Sequence, residues 1–454
     1  MSGDLLTRSL AERAVELSAD DIPGDVMEIA AQCFLDWYSL AYACHDHPAV
    51  QPLKEFVLEG GGAPQAALVG GNGRCRTADA AWINGTASHV LDFDDAHLPS
   101  RVHPSVPLWP AILALCESRE ASGRDLLAAF VAGVEVQSRL ARVMGASHYR
   151  LGWHSTATLG SFGATAAAAR LLGLDVPQCM HAFGLNATQA AGLRAMFGTP
   201  CKPLHVGRAA ANGVVAAELV RRGCASQPDI LDRPDGYPAL AADAFDPRAA
   251  FARPDHWEAR DIVFKFHASC YGTQAPIEAC LAAMEALDAH AAGGGAVDSV
   301  SVTVETQYLS VCNIPEPADA AESKFSVRHA VALVLAGRDT LSEASFSPEA
   351  CADPVLRALR AKVRVEGSDG MPRAHADVDL RLSDGRACLR RFDASAPETD
   401  LVRQARRLRE KSSRLLAPLL DGPRISALQD GLLAVGDASS VARWHAGLRE
   451  GAGP

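Results

Sequence analysis

The stretch VDSVSVTVET, residues 297–306, decides how the chain divides. Val300, Val302 and Val304 alternate with serine and threonine, and a period of two with β-branched residues marks a half-buried strand. Further on, Ala374, Ala376, Val378, Leu380 and Leu382 alternate in the same way. Ser383-Asp384-Gly385 and a second short apolar run follow, which predicts a β-hairpin turned at Asp-Gly. Between these strands a helix is expected from about Ser326 to Leu335, ended by Gly337. Ahead of them a helix from Gln274 to Leu287 is expected to end at Gly293-Gly294-Gly295. Residues 258–396 therefore read as an α+β unit.

Upstream of about Trp257 the pattern is helical. The first long helix begins near Ile22-Pro23, where Asp20 and Asp21 offer caps and proline suits a first turn. Val26, Ile29, Ala30, Cys33, Phe34, Trp37, Leu40 and Ala41 follow at three-four spacing and define a buried face. Further helices are predicted over 107–117, 125–142, 160–172, 176–190 and 209–222, the third and the last closed by Gly173 and Gly223. The alanines at 166–169 permit close helix–helix approach. With no internal repeat the pattern fits an irregular bundle. After Pro397 the chain turns helical again, and a helix over 401–416 is expected to pack back on the first part. The expected architecture is mainly α with an inserted α+β domain: an all-helical domain from residues 1–257 and 397–454, and an α+β lid domain over 258–396.

Composition agrees with a helical body. Of 454 residues 48% are apolar and only 6% aromatic, and alanine and leucine favour helix. The formal charge of −11 gives no basic field for nucleic acid. Only six of the 43 basic residues are lysines. The twelve cysteines form no CxxC pair and no zinc spacing, so free thiols in a reducing compartment are expected. The first 23 residues carry early acids and no apolar run, which predicts no signal peptide. No run of about 18 apolar residues suggests a membrane span. A cytoplasmic protein is expected.

Five segments carry chemistry. In NGTASHVLDFDDAHLPSRVHPS (84–105) three acids, Asp92, Asp94 and Asp95, and three histidines, His89, His97 and His103, crowd together. A metal site is one reading, but no HExxH-like pair closes a shell. The plainer reading has Asp94 or Asp95 capping a helix end or solvated, and His97 likewise. The sharper reading takes His103-Pro104-Ser105, where proline restricts His103 at the mouth of a helix suited to a carboxylate. In LGWHSTATLGSFGATAAAARLLG (151–173) His154 precedes hydroxyls and a helix start, so an anion-binding corner and a structural histidine are both open. In RAMFGTPCKPLHVGRAAANG (194–213) Lys202 is expected in a tight loop among Met196, Phe197 and Leu204, poor in other charge, which fits a carboxylate clamp better than a solvated lysine. Cys201 lacks a Cys–His–acid order. In IVFKFHASCYGTQAPIEA (262–279) Lys265 heads the second domain, with His267 and Cys270 nearby. In the stretch 305–330 Tyr308 and Lys324 stand out, and for Tyr308 a core role competes with a functional one.

Together these segments resemble the MmgE/PrpD family over most of the chain. The match runs through HVLDFDDAH, HPS, GWHSTATLGSFGAT, MFGTPCKPLHVGRAAANG and SKFSVRHAVAL, in that order. The family includes 2-methylcitrate dehydratase, cis-aconitate decarboxylase and iminodisuccinate epimerase. The resemblance implies the two-domain fold above, a homodimer, and no metal or organic cofactor. It places pocket residues at Asp92, His103, His154, Lys202 and Lys265, with Tyr308 a weaker carry-over. The sequence departs from the cis-aconitate decarboxylase pattern at Ala96, where that enzyme has a threonine, at Cys270, where it has a histidine, and in a loop one residue longer between Asp92 and His103. The chain is shorter than 2-methylcitrate dehydratase and its HPS segment differs.

The activities so implied share one step, movement of a proton at a carbon beside a carboxylate. Lys202 and Lys265 are expected to hold substrate carboxylates, with Tyr308 contributing to binding. His103 and His154 are expected to move protons, and Asp92 to orient a histidine or accept a substrate hydroxyl. The expected function is a lyase, dehydratase or decarboxylase, acting on a small di- or tricarboxylate. An epimerase of an iminodisuccinate-like compound is the alternative, and two opposed bases would favour it. A non-catalytic helical polycarboxylate binder is the second alternative, and a metal-dependent hydrolase the third.

Overall fold

The computed structural model describes residues 6–288 and 297–452. It is mostly helical, with a small mixed sheet in its C-terminal part. Two compact units are present, one of residues 1–264 with 399–454 and one of 265–398.

The first unit opens with α1 (Leu6–Val15), α2 (Gly24–Ala43) and α3 (Gln51–Glu59). A two-residue ladder of β1 (Ala66–Ala67) and β2 (Arg74–Cys75) leads into α4 (Thr77–His89). Then come β3 (Ala96–His97), α5 (Ser105–Ser118), α6 (Gly123–Arg150), α7 (Ser155–Leu171), α8 (Val176–Ala187), α9 (Cys201–Arg221) and α10 (Tyr237–Ala241). Strand β4 (Ile262–Val263) pairs antiparallel with β3, Ala96 opposite Val263. Local chemistry sets several of these ends. Ser122 and Asp125 form a reciprocal capping box at the start of α6, and Asp175 and Gln178 do the same for α8. Helix α6 kinks at Gly145, where φ is 57°.

Small residues let the central helices close on one another. A Cβ on Gly163 of α7 would lie 2.8 Å from the Gly133 carbonyl of α6. A Cβ on Gly207 of α9 would lie 2.2 Å from the Trp82 carbonyl of α4. Residues 155–169 of α7 are all buried, as the alanine run leads one to expect. The aromatic core sits beside them, with the Trp109 and Phe130 rings stacked at 4.1 Å and Phe34 4.8 Å from Trp109.

The second unit begins with α11 (Tyr271–Ala286) and continues with β5 (Val297–Glu305), α12 (Ala320–Lys324), α13 (Val327–Leu335), α14 (Pro348–Ala352), α15 (Pro354–Arg360), β6 (Val363–Ser368), β7 (His375–Leu382) and β8 (Ala387–Asp393). The sheet order is β6-β5-β7-β8. Val302 sits opposite Val378 on the antiparallel side and Val365 on the parallel side. Val300, Val302 and Val304 are buried, as their alternation predicts. The hairpin turns at Gly385, with φ 89°. The glycine run at 293–295 lies outside the described residues.

The chain then returns to the first unit as α16 (Leu401–Leu416), α17 (Gly422–Leu433) and α18 (Val441–Ala452). Helix α16 packs along α2, and His445 of α18 bonds the Tyr38 hydroxyl at 3.0 Å in the core.

Three sequence expectations are corrected. Helices α1, α3, α4, α10, α12, α14, α15, α17 and α18 and strands β1–β4 and β6 lie outside the sequence expectations; most are short or weakly periodic. Helix α7 starts five residues earlier than expected. Helix α9 starts at Cys201, so Lys202 lies in a helical first turn and not in a loop. Pro200 and Pro203 read as loop formers, but the first turn of a helix leaves its N–H groups unpaired and tolerates proline there.

Candidate active site

The loop 90–104, between α4 and α5, carries the acids and His103. Asp92 takes a left-handed backbone, φ 52°, which an aspartate tolerates better than most residues. Its carboxylate lies 2.9 Å from Lys202 Nζ and 3.9 Å from His103 Nε2. Lys202 also faces the Phe197 ring at 5.3 Å. Helix α9 thus delivers an ammonium and the loop a carboxylate to the same point.

Behind Asp92 is a buried imidazole–carboxylate group. Asp94 is fully buried. His89 Nδ1 is 3.0 Å from each of its oxygens, and His103 Nδ1 is 3.0 Å from Oδ2. His103 Nδ1 also lies 2.7 Å from the Asp95 backbone oxygen. A carbonyl oxygen only accepts, so Nδ1 of His103 carries the proton. Burial pushes the Asp94 carboxyl upward, but the two imidazoles outweigh it and hold the group well below the usual carboxylate range. Burial pushes His89 down, partly opposed by Asp94.

His154 is the residue just before α7, and its backbone N–H donates to the Gly192 carbonyl at 2.9 Å. Its ring is 6.0 Å from that of His89, 4.9 Å from Phe197 and 5.8 Å from His205. The His89 ring is in turn 5.2 Å from His103. Burial, then the positive field of His89, Lys202 and His103, hold His154 well below an ordinary imidazole. Among the described residues the buried His154 Nδ1 meets no hydrogen-bond partner, an uncommon state for a buried polar atom. Thr156 on α7 accepts the His103 N–H at 3.1 Å and ties the two segments.

The loop is pinned on either side of Asp94. Lys411 of α16 donates to the Phe93 carbonyl at 2.6 Å and pairs with Asp36 of α2 at 2.6 Å, fully buried. Asp95 accepts from the Ser105 N–H at 3.2 Å and hydroxyl at 2.5 Å, capping α5. Burial pushes the Asp95 carboxyl up to about 7 in spite of those bonds.

The plainer reading of this loop is corrected in part. Asp95 does cap a helix, but neither acid is solvated, and His97 is buried too. His97 bonds Ser100 at 2.7 Å and faces Glu258 at 3.4 Å. Among the described residues, His89 with Asp92 and Asp94, and His97 with Glu258 and Asp261, come close enough to share a divalent ion. Cationic charge is already supplied there by Lys202 on Asp92, by Arg142 on Glu258 and by Arg253 on Asp261.

Asp92, His103, His154 and Lys202 therefore gather in the first unit. From sequence, His89 and Asp94 are named in the crowded loop without being assigned to the site, and His205, whose Nε2 is 3.4 Å from Cys201 Sγ, is not singled out. Only the i, i+4 spacing of Cys201 and His205 gave a local signal. Lys265 and Tyr308 belong to the second unit. Lys265 is buried. The Tyr308 ring lies against Gly272, where a Cβ would come within 2.6 Å of it, and burial pushes its hydroxyl up to about 12. Packing thus accounts for much of Tyr308.

The MmgE/PrpD N-terminal domain model matches residues 8–250 and the MmgE/PrpD C-terminal domain model matches residues 267–427. The chain belongs to the MmgE/PrpD family. It is 30% identical over 327 residues to the cis-aconitate decarboxylase of Homo sapiens, spanning 69% of this chain and 67% of that enzyme. The Mus musculus cis-aconitate decarboxylase is also 30% identical, with 66% of its length covered. A cis-aconitate decarboxylase-like protein of Aspergillus oryzae is 27% identical across 96% of this chain and 95% of its own. Among the described residues no helix is long and apolar enough to cross a membrane.

Proposed function

We propose that this chain is a lyase that moves a proton at a carbon beside a carboxylate of a small di- or tricarboxylate. The observation that carries the reading is the meeting of Lys202 Nζ and His103 Nε2 on the Asp92 carboxylate, at 2.9 and 3.9 Å. Relatives that bear the name cis-aconitate decarboxylase make cis-aconitate the first substrate to test.

An ammonium has three donors, and Asp92 takes one. The others are available to a substrate carboxylate. When a C–H or C–C bond breaks beside that carboxylate, its electron pair spreads into the carboxylate as enolate charge. Lys202 stabilises that charge, and preorganised charge of this kind is usually the largest catalytic contribution. His103, with its proton fixed on Nδ1, exchanges the substrate proton through Nε2. His154 is kept neutral by its burial, which suits a base. Lys265 and Tyr308 are assigned to substrate binding on the family resemblance. The second unit is assigned the role of lid, and the active form that of a homodimer, on the same ground.

The test is incubation of the full chain with cis-aconitate, methylcitrate, citrate and iminodisuccinate in D₂O, followed by NMR. Loss of CO₂ or water with deuterium at the adjacent carbon is the expected result. Deuterium in iminodisuccinate alone would favour the epimerase. Binding with no exchange into any of the four would sink the enzyme reading.

A further inference from the structure

We propose that Asp94 is the positioning residue of this site, a single buried carboxylate that fixes His89 as the Nδ1–H tautomer, backs the Nδ1 edge of His103 and leaves Nε2 of His103 to handle protons. The proposal rests on the acid–base reading above only for its activity measurement.

Both contacts of Asp94 are at 3.0 Å, and an ionised carboxylate accepts only. Each imidazole must therefore present an N–H at Nδ1. For His103 the Asp95 carbonyl imposes the same choice independently. Asp94 has little freedom to do otherwise. Lys411 holds the carbonyl of Phe93 before it, and Ser105 holds the side chain of Asp95 after it. Among the described residues His89 Nε2, which is buried, meets no hydrogen-bond partner, and the ring's contact with Asp94 is through Nδ1. Loss of Asp94 would release His89 and take the carboxylate away from His103, which the Asp95 carbonyl still holds as the Nδ1–H tautomer. The charged and titratable groups facing His103 are Asp94 at 3.0 Å, Asp92 at 3.9 Å and the His89 ring at 5.2 Å, with Lys202 on the other oxygen of Asp92. A proton arriving at His103 Nε2 is thus met by a carboxylate 3.0 Å from the opposite edge of the ring. This is the geometry by which a buried acid orients a histidine and stabilises its imidazolium.

The experiment uses the whole chain labelled with ¹⁵N-histidine and long-range ¹H–¹⁵N spectra. In the unmodified chain His89 and His103 are expected as Nδ1–H tautomers. In Asp94→Asn the Asp95 carbonyl still holds His103 as Nδ1–H, so with the amide NH₂ facing His89 Nδ1 it is His89 that is expected to switch to Nε2–H. With cis-aconitate, kcat is expected to fall about 100-fold or more while KM stays within about threefold, the mark of misplaced acid–base geometry. His89→Asn and His89→Leu both leave the Asp94 carboxylate and the Asp95 carbonyl at His103 Nδ1, so His103 is expected to stay the Nδ1–H tautomer in each. An unchanged His89 tautomer in a folded Asp94→Asn chain, or a His103 that leaves the Nδ1–H tautomer in either His89 variant, would overturn the proposal. If Asp94→Asn does not fold, the His89 pair decides. If no polycarboxylate is turned over by any form, the lyase reading fails and the spectra alone judge Asp94.

Discussion

Lys202 meets the Asp92 carboxylate at 2.9 Å from the first turn of α9, and Asp92 reaches it from a left-handed backbone. Charge and strain therefore sit on the same residue and separate under substitution. Asparagine tolerates that backbone, so Asp92→Asn should keep the stability of the chain and lose turnover. Asp92→Val should in addition cost about 1–2 kcal/mol in urea unfolding. Equal stability in both variants would remove the strain argument.

Lys202→Ala and His154→Ala should each lower turnover by about 100-fold or more, the scale of an electrostatic or acid–base group. Steady-state rates decide this. Near-normal rates would take both residues out of the mechanism.

Asp95 and His154 predict opposite pH trends in stability. Asp95 is raised from 3.8 to about 7, so folding takes up a proton, and its contribution is full below pH 3.8 and lost as pH rises through about 7. His154 and His89 are lowered from 6.5, so their contribution is present above pH 6.5 and lost as pH falls. Asp95→Asn cannot ionise. Its melting temperature relative to the unmodified chain should rise between pH 6 and pH 8. A difference independent of pH would show that Asp95 is ionised throughout.

Much of this was legible in the sequence, and the reasons for the rest are physical. The strands at 297–305 and 375–382 announced themselves because each buries one face. Strand β6 did not, since VRVEGS offers only Val363 and Val365 before its glycine. His103, His154 and Lys202 stood out through neighbouring proline, glycine and hydroxyl residues. His89 and Asp94 did not, because a histidine at a helix end and one acid among three look like surface until the fold buries them. The helical start at Cys201 was hidden by two prolines that a first turn accommodates.

Gly207 marks the contact of α4 with α9, the helices that carry His89 and Lys202. A methyl group there would sit 2.2 Å from the Trp82 carbonyl and 2.3 Å from Thr86 Oγ1. Gly207→Ala should destabilise by about 1–3 kcal/mol, as overpacked interiors do. Chemical denaturation measures this, and an unchanged midpoint would show that the helices part freely.

Lys411 is buried against Asp36, and burial lowers its pKa against the pull of that carboxylate. Lys411→Met should cost about 3–5 kcal/mol, because it strands a buried charge. Adding Asp36→Leu should recover most of the loss. A double variant no more stable than the single would contradict the pairing.

The same lysine bears on the order of synthesis. It fastens Phe93 from 318 residues downstream. A nascent chain that has already emerged with Asp92, His103, His154 and Lys202 still lacks that tether. That pin on the acid-bearing loop is made only after the ribosome has translated the whole inserted unit and most of α16, so a chain stalled or clipped before that point would carry Asp92, His103, His154 and Lys202 without it.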